Sequence, residues 1–449
     1  MNRGSRPVVR LGSGAGYSGD RIDPAAALAA SGRIDYLCFE CLAERTIAIA
    51  HGRRQRDPDQ GFDLLLEDRL RAVLPACRAN GVKIISNMGA ANPLAAARTA
   101  VKVSRDLGLR GIRVAAVLGD DVLSHVADHP QAPLDGGGSV ADLKDRLIAA
   151  NAYLGADGIV EALAGGADIV LTGRVGDPAL FLAPLVHEFG WRPDDWTRLG
   201  RGTIIGHLLE CAGQLTGGYF ADPGRIDVPG LADLGFPLAE VSPDGSAILT
   251  KLEGSGGRIT TATCKQQLLY EIQDPAAYLQ ADVVADIRSV RFSEVAENRI
   301  AFSGGDGAAR PDSLKVSLGY SDGFIGEGQI SYAGPNALAR GRLALDILRT
   351  RLTRFISPQD LRFDVIGVDS VNRTNATVPE PVEVRIRVVG RAPNGPTAQR
   401  IVSEVEALYT NGPAGGGGAA GSVREVVAVA STLIDRQLVT PSVHFEEVS

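Results

Sequence analysis

Between residue 8 and about residue 190 the chain alternates short apolar runs, rich in β-branched residues, with amphipathic helical patterns. Nothing else in the sequence restricts the fold so strongly. The runs are Val8–Leu11, Tyr36–Phe39, Val82–Ser86, Ile112–Leu118 and Asp168–Thr172. Helical patterns cover Pro24–Ser31, Leu64–Asn80, Pro93–Leu107 and Leu143–Ala164. Strands that are apolar along their whole length are buried on both faces, which calls for a parallel sheet with helices on each side. Helix punctuation agrees: Asp23-Pro24 and Asn92-Pro93 read as N-caps followed by proline, and Gly32, Gly81 and Gly108 read as C-terminal stops.

The second half has another character. A bridge over 191–235, with a helical centre at Thr203–Leu215, leads to strand-like alternation at Ala247–Leu252, Arg258–Thr263, Ser289–Phe302, Leu314–Tyr320, Leu361–Val368 and Val382–Val389. Helical patterns are read at Ala333–Leu352, Thr397–Tyr409 and Val423–Ala430, the last opened by a capping box from Ser422 to Glu425. At 449 residues the chain exceeds the usual size of a single core. The expected architecture is an α/β domain over 1–235, its parallel sheet covered by helices on both faces, followed by an α+β domain over 236–449.

Charge and cysteine usage narrow the functional classes. The net charge is -7, and the densest basic cluster, Arg53-Arg54-Gln55-Arg56, is too short for the stripe that nucleic-acid binding needs. No apolar stretch approaches membrane-spanning length, and Met1–Arg6 lacks the apolar segment of a secretory signal. A cytoplasmic protein that binds neither nucleic acid nor membrane is expected. The five cysteines, at 38, 41, 77, 211 and 264, form no disulfide framework. Cys38 and Cys41 are spaced C-x-x-C, but no second pair completes a zinc site.

In an open α/β sheet ligands gather beyond the C-terminal ends of the strands, so chemistry is sought in the loops there. After the first run stands GSGAGYSGDR, Gly12 to Arg21, whose Gly14, Gly16 and Gly19 spell G-x-G-x-x-G, with Glu40 near the spacing of a ribose-binding acid. The helix signal begins only at Asp23-Pro24, and Asp20 would repel a phosphate held in the loop. A backbone cradle presenting Asp20 and Arg21, with Tyr17 beside them, is the better reading. The loop Ser86–Asn92 offers Asn87 to orient a substrate carbonyl, with Asn92 as a helix cap. The loop Thr172–Pro178 offers Arg174 as a clamp for a carboxylate or phosphate, and Asp177 as a ligand or an N-cap. His207, Glu210 and Cys211 share one helix face, which suits acid–base chemistry beside a thiol; no third arm with ligand spacing accompanies them, and no metal is assigned. In the second half Lys251, Glu271 and the glycine loops at 254–257 and 415–418 stand out, the latter as an anion cradle or a plain linker.

Taken in order, the blocks GSGAGYSGDR, VKIISNMGAANP, GADIVLTGRVGDPAL, GHLLECAGQLTGGYF, CKQQLLYEIQDPAAY, LKVSLGYSDGFIGEG and GGGGAAGSVREV resemble the acyclic terpene utilisation AtuA-like family, long labelled a domain of unknown function. The resemblance spans nearly the whole chain. The family takes its name from the degradation of citronellol and geraniol through coenzyme A thioesters. It therefore implies an enzyme or accessory protein acting on an acyl thioester or a related branched carboxylic substrate. Longer members carry a further small C-terminal domain, which this chain is expected to lack.

Joined to the residues above, the expectation is a lyase or hydratase-type enzyme with its substrate between the domains, over the strand ends. Asp20 is the general acid–base candidate; Arg21 and Arg174 hold the anionic part, Asn87 orients a carbonyl, and His207, Glu210 or Cys211 completes the constellation. Gly14, Gly16, Tyr17, Asp177 and Lys251 are expected at the substrate. A non-catalytic ligand-binding or accessory subunit, and a hydrolase with a Cys211–His nucleophile, stand as alternatives. No cofactor is assigned, and a homo-oligomer is expected.

Overall fold

The apolar runs become the centre of one large sheet in the computed structural model, which describes residues 7–371 and 380–448. Strands β1 (Val9–Ala15), β2 (Tyr36–Phe39), β3 (Lys83–Ser86), β4 (Arg113–Leu118) and β5 (Ile169–Thr172) lie parallel in the order β1-β2-β3-β5-β4. Every residue of β2 and β5 is buried, as strands covered on both faces must be. On one face the helices Asp23–Ala30, Leu66–Asn80 and Pro93–Asp106 press Leu28, Leu70, Val73 and Ala100 into a core with Leu37, Ile84 and Leu171. On the other the helices Ala179–Phe189 and Trp196–Glu210 lie against β1 and its neighbours.

The sheet does not stop at residue 235. Strands β6 (Pro237–Val241), β7 (Ala247–Lys251), β8 (Arg291–Ala296) and β9 (Arg299–Ser303) extend it antiparallel in the order β8-β9-β7-β6-β1, and β10 (Ser442–Glu447) closes the far side antiparallel to β4. The two compact units of the chain are Met1–Gly319 with Val429–Ser449, and Tyr320–Ala428. The change of sequence character near 236 thus marks a switch from parallel to antiparallel strands within one sheet. Among the described residues no helix is long and apolar enough to cross a membrane.

In the smaller unit the strands follow the order Leu361–Ile366, Glu383–Ala392, then the parts of Ser313–Ala333 and Gly417–Asp435 that fall within Tyr320–Ala428. The helices Ala337–Leu352 and Gly395–Glu406 bury Leu345, Leu348, Ile401 and Val405 against Ile330, Ile386 and Val388. The alternating glycines of GFIGEG have a packing reason. A Cβ on Gly326 would stand 2.2 Å from the Ala398 carbonyl oxygen, and one on Gly328 would stand 2.6 Å from the Val405 side chain. Bare backbone lets the helix lie directly on the strand.

Local patterns lost to tertiary pairing at several points. The helical pattern read at 143–164 is a 3-10 turn Val140–Arg146, a strand Leu147–Ala152 and a helix Asp157–Ala164. The strand read at 258–263 becomes a helix from Thr261 whose capping box is Thr260 with Thr263. Ser422 to Ala430, read as a capped helix, lies inside the strand Gly417–Asp435, where its β-branched residues outweigh the short-range capping signal. Asp23 opens its helix without capping it, whereas the Asn92 side chain does accept the Ala95 N–H. The helix Glu44–Arg56, nine of its thirteen residues arginine, glycine or polar, had no periodic signal strong enough to read.

Replacing Gly326 by Ala should cost about 1–3 kcal/mol of stability, because the atom it meets is main chain and cannot swing away. Thermal or urea unfolding checks this; an unchanged midpoint would mean that the helix does not seat so closely.

Candidate active site

Beyond the C-terminal ends of β1, β2 and β5 opens a cleft of about 770 Å³, a size suited to a small molecule. The loops at 16–21, 40–46, 210–219 and 270–280 wall it, together with Tyr153, Asp177 and Lys315. Both sequence halves line it, yet all these residues belong to the larger unit, so the site is not a cleft between two domains.

The glycine loop forms the first wall. Gly14 does not reach the cleft; a Cβ there would lie 2.7 Å from the Phe39 ring. Gly16 does reach it, and a Cβ would lie 2.6 Å from the backbone carbon of Cys211, so glycine is what lets loop and helix end touch. Asp20 accepts the Gly16 N–H on Oδ2 and the Arg21 N–H on Oδ1, both at 2.9 Å, which closes the loop on itself before the helix starts at Asp23. Arg21 donates to the Ala232 carbonyl at 2.6 Å. The glycine triplet therefore shapes a closed turn, and no helix N-terminal turn carries its third glycine as a dinucleotide fingerprint would require.

Beneath this loop lies a residue that no sequence motif marks. Arg69 is fully buried and donates through Nη2 to the carbonyls of Ser18, Tyr17 and Asp20, at 2.9, 3.3 and 3.4 Å. Through Nη1 it reaches Asp63 at 3.1 Å and the Cys41 Sγ at 3.2 Å. One guanidinium joins the loop after β1 to the segment after β2.

That second segment carries Glu40, 9% exposed and on the cleft wall. Its Oε1 accepts the Leu42 N–H at 2.8 Å and the Asn87 side-chain amide at 3.0 Å. Burial, reinforced by Asp177, pushes this carboxyl up to about 8, so it holds its proton at neutral pH. Asn87 itself is fully buried, with its Oδ1 accepting the Cys41 N–H at 2.7 Å; it positions Glu40 and does not line the cleft. Across the helix end, Glu210 lines the cleft with Oε1 held 2.8 Å from His207 Nδ1. Burial first, then Asp177 and Glu271, raise Glu210, while burial lowers His207 to about 4. The pair thus shares one proton as a neutral unit, His207 behind and Glu210 in front. Cys211 also lines the cleft, but burial and the adjacent Glu210 push its thiol up, the reverse of what a nucleophile needs.

The loop after β5 explains Thr-Gly-Arg. Asp120 accepts the Arg174 N–H at 2.7 Å and the Asn151 amide at 2.9 Å, and its carboxyl fills the space that a Cβ on Gly173 would take. Burial raises Asp120 to about 6. Arg174 is buried, stacks 4.2 Å from the Tyr153 ring and pairs with Asp177, so Asp177 is an ion partner rather than a helix cap, the cap position being Pro178. Tyr153 donates to Glu44, which also takes Lys315 at 3.1 Å. Burial would raise Glu44, but Tyr153, Arg174 and Lys315 hold it down at about 2. Lys251 plays no part here: its ammonium is folded back on the Ser255 carbonyl at 2.6 Å, outside the cleft.

Two rim residues, Tyr219 and Glu271, hold φ of +62° and +61°, a region side-chain-bearing residues rarely adopt. Glu271 stood out in the sequence, but nothing local marks Tyr219 or the backbone conformation of either. Five of the chain's nine tyrosines, 17, 153, 219, 270 and 278, face the cleft, making its lining phenolic and acidic. Among the described residues no group of three or more His, Cys, Asp or Glu is placed to hold a metal ion, and all five cysteines are free thiols.

Comparison with known proteins returns a family described as acyclic terpene utilisation family protein AtuA, matched over residues 9–445. No curated protein matches the chain. Among solved structures, the de novo designed protein Foldit4 aligns at 13% identity over 22% of this chain and 94% of its own, with a TM-score of 0.16, which carries no argument about the fold.

Arg69→Lys keeps the charge but cannot span the three carbonyls. Hydrogen exchange should accelerate selectively over residues 16–21, with about 1–3 kcal/mol lost in unfolding; uniform exchange would count against the clamp. Cys211 should alkylate with iodoacetamide at neutral pH more slowly than an ordinary thiol. Faster labelling would revive the nucleophile.

Proposed function

The chain belongs to the acyclic terpene utilisation AtuA family, and from that premise and the cleft's geometry we propose an enzyme of small-molecule catabolism that adds or removes water next to a carboxyl or acyl group. The observation that carries this lyase or hydratase-type reading is a pair of buried cleft carboxyls, Glu40 and Glu210, both held above the ordinary carboxylate range by burial. Removal of water needs one group to take a proton from the carbon beside the carbonyl and another to protonate the departing hydroxyl; addition runs the same transfers backwards. Glu40, at about 8, takes the carbon proton through its ionised fraction, and Glu210, held protonated by burial, gives its proton to the departing hydroxyl; addition returns both protons along the same routes. Glu40 is set for this: its protein hydrogen bonds fall on Oε1, and Asn87 fixes the plane of the carboxyl.

Other candidates take supporting parts. Asp20, with both oxygens on loop N–H groups, is a positioning residue in this reading. His207 stores the proton that Glu210 shares. Arg174 balances Asp177 and the neighbouring acids from behind and touches no substrate. The hydrolase alternative is disfavoured by the protonated Cys211 thiol.

Glu40→Gln keeps the hydrogen-bond pattern and should lower turnover about 10²- to 10⁴-fold in a folded protein, followed as gain or loss of water by product mass. Asp20→Asn should cost less. Full activity in Glu40→Gln refutes the role, and ligand stabilisation without water exchange would favour an accessory binder. Stability offers a separate check. A carboxyl raised from 4.5 to about 8 keeps its proton in the folded state while the unfolded chain ionises, so wild-type stability falls as pH rises from about 4.5 through about 8. The melting temperature of Glu40→Gln relative to wild type should therefore climb across that window; parallel curves would deny the shift.

A further inference from the structure

The charges around the cleft indicate which form of substrate it takes, an inference that rests on the water-exchange reading above. Six carboxyl groups line it, Asp20, Glu40, Glu44, Asp177, Glu210 and Glu271, against two cations, Arg21 and Lys315. Arg21 is engaged by the carbonyls of Leu231 and Ala232. Lys315 meets Glu44 at 3.1 Å, but its side chain is 47% exposed and an ammonium has three donors, so it can take one further acceptor. On the acid side, Glu210 is 6% exposed; its Oε1 is held by His207, and its Oε2 has no partner among the described residues. A buried acceptor in that state is costly until a donor reaches it. Glu271, exposed and held at φ +61°, lies within electrostatic reach of Glu210 and adds a second acceptor at the cleft.

We propose that the substrate is a compact hydroxylated carboxylic acid bound as the free acid, its hydroxyl donating to Glu210 Oε2 beside Glu271 and its single carboxylate taken by Lys315. Coenzyme A thioesters are refused. Their phosphates bring several negative charges, and with Arg21 already on the Leu231 and Ala232 carbonyls the lining offers them one cation with donors to spare, Lys315, itself shared with Glu44.

The test is calorimetric titration of the intact protein with 3-hydroxybutyrate and 3-hydroxy-3-methylbutyrate, each beside its coenzyme A thioester. The free acids should bind, the thioesters at least about tenfold more weakly, and Glu210→Gln and Lys315→Met should each weaken the free acid about tenfold. Glu271→Gln, at an exposed position, gives a second reading of the hydroxyl subsite should Glu210→Gln fail to fold. Thioester binding equal to or tighter than the acid overturns this inference and leaves the water-exchange reading standing. Free-acid binding with no gain or loss of water upholds the inference and removes that reading. Binding of neither form overturns both, and free-acid affinity unmoved by the Glu210 and Glu271 variants overturns the hydroxyl subsite.

Discussion

A single buried guanidinium holds the candidate site together. Arg69 offers its donors to three carbonyls of the loop after β1 and to Asp63 and Cys41 behind β2, so the two walls that carry Asp20 and Glu40 cannot move independently. Loop carbonyls at a strand end have no ladder to join, and leaving them unpaired under a helix would be costly. A buried Arg answers several at once because its fork reaches in a plane that lysine cannot cover. The glycines of the loop then become intelligible: the turn must pass against Cys211 on one side while its carbonyls point down at Arg69 on the other.

The chemistry of the cleft follows from how acids and cations are layered. Arg174 sits fully buried behind the surface, with Asp177, Glu40 and Glu44 in its field and Tyr153 on its face. Without that charge so many carboxyls could not converge in so little solvent. With it, their states diverge. Glu44, bonded to Tyr153 and Lys315, is held strongly ionised, whereas Glu40 and Glu210, with fewer compensating contacts, keep their protons. Divergent protonation among neighbouring carboxyls is the condition under which a site can both give and take a proton near neutral pH.

Much of this was legible in the chain. Tyr36–Phe39 and the runs around Ile84, Val114 and Val170 could only be strands of a covered parallel sheet, and that locates the functional loops at their C-terminal ends. Asp20, Arg21, Asp177, Glu210 and Cys211 do converge on one cleft. The roles were harder to see. Glu40 resembled a ribose acid only because of its distance from a glycine triplet, while Asn87, which looked like a ligand, spends its amide on Glu40 and the Cys41 N–H. Arg69 was one of three arginines on an amphipathic helix until its burial showed which carbonyls it answers. The cleft boundary was also hidden, since β6 to β9 return to the first sheet from a stretch whose alternation looked like a new domain.

What the sequence determined by itself is the central sheet, the position of its loops and membership of the family, because periodicity, glycine and proline act over a few residues and family blocks are read in order along the chain. Tertiary structure alone decided which side chains face the cleft and which carboxyls keep a proton. Those properties depend on burial and on charges contributed from distant positions, such as Lys315 beside Glu44 or Asp177 near Glu210, and no local pattern carries a distance between segments that meet only in the folded state.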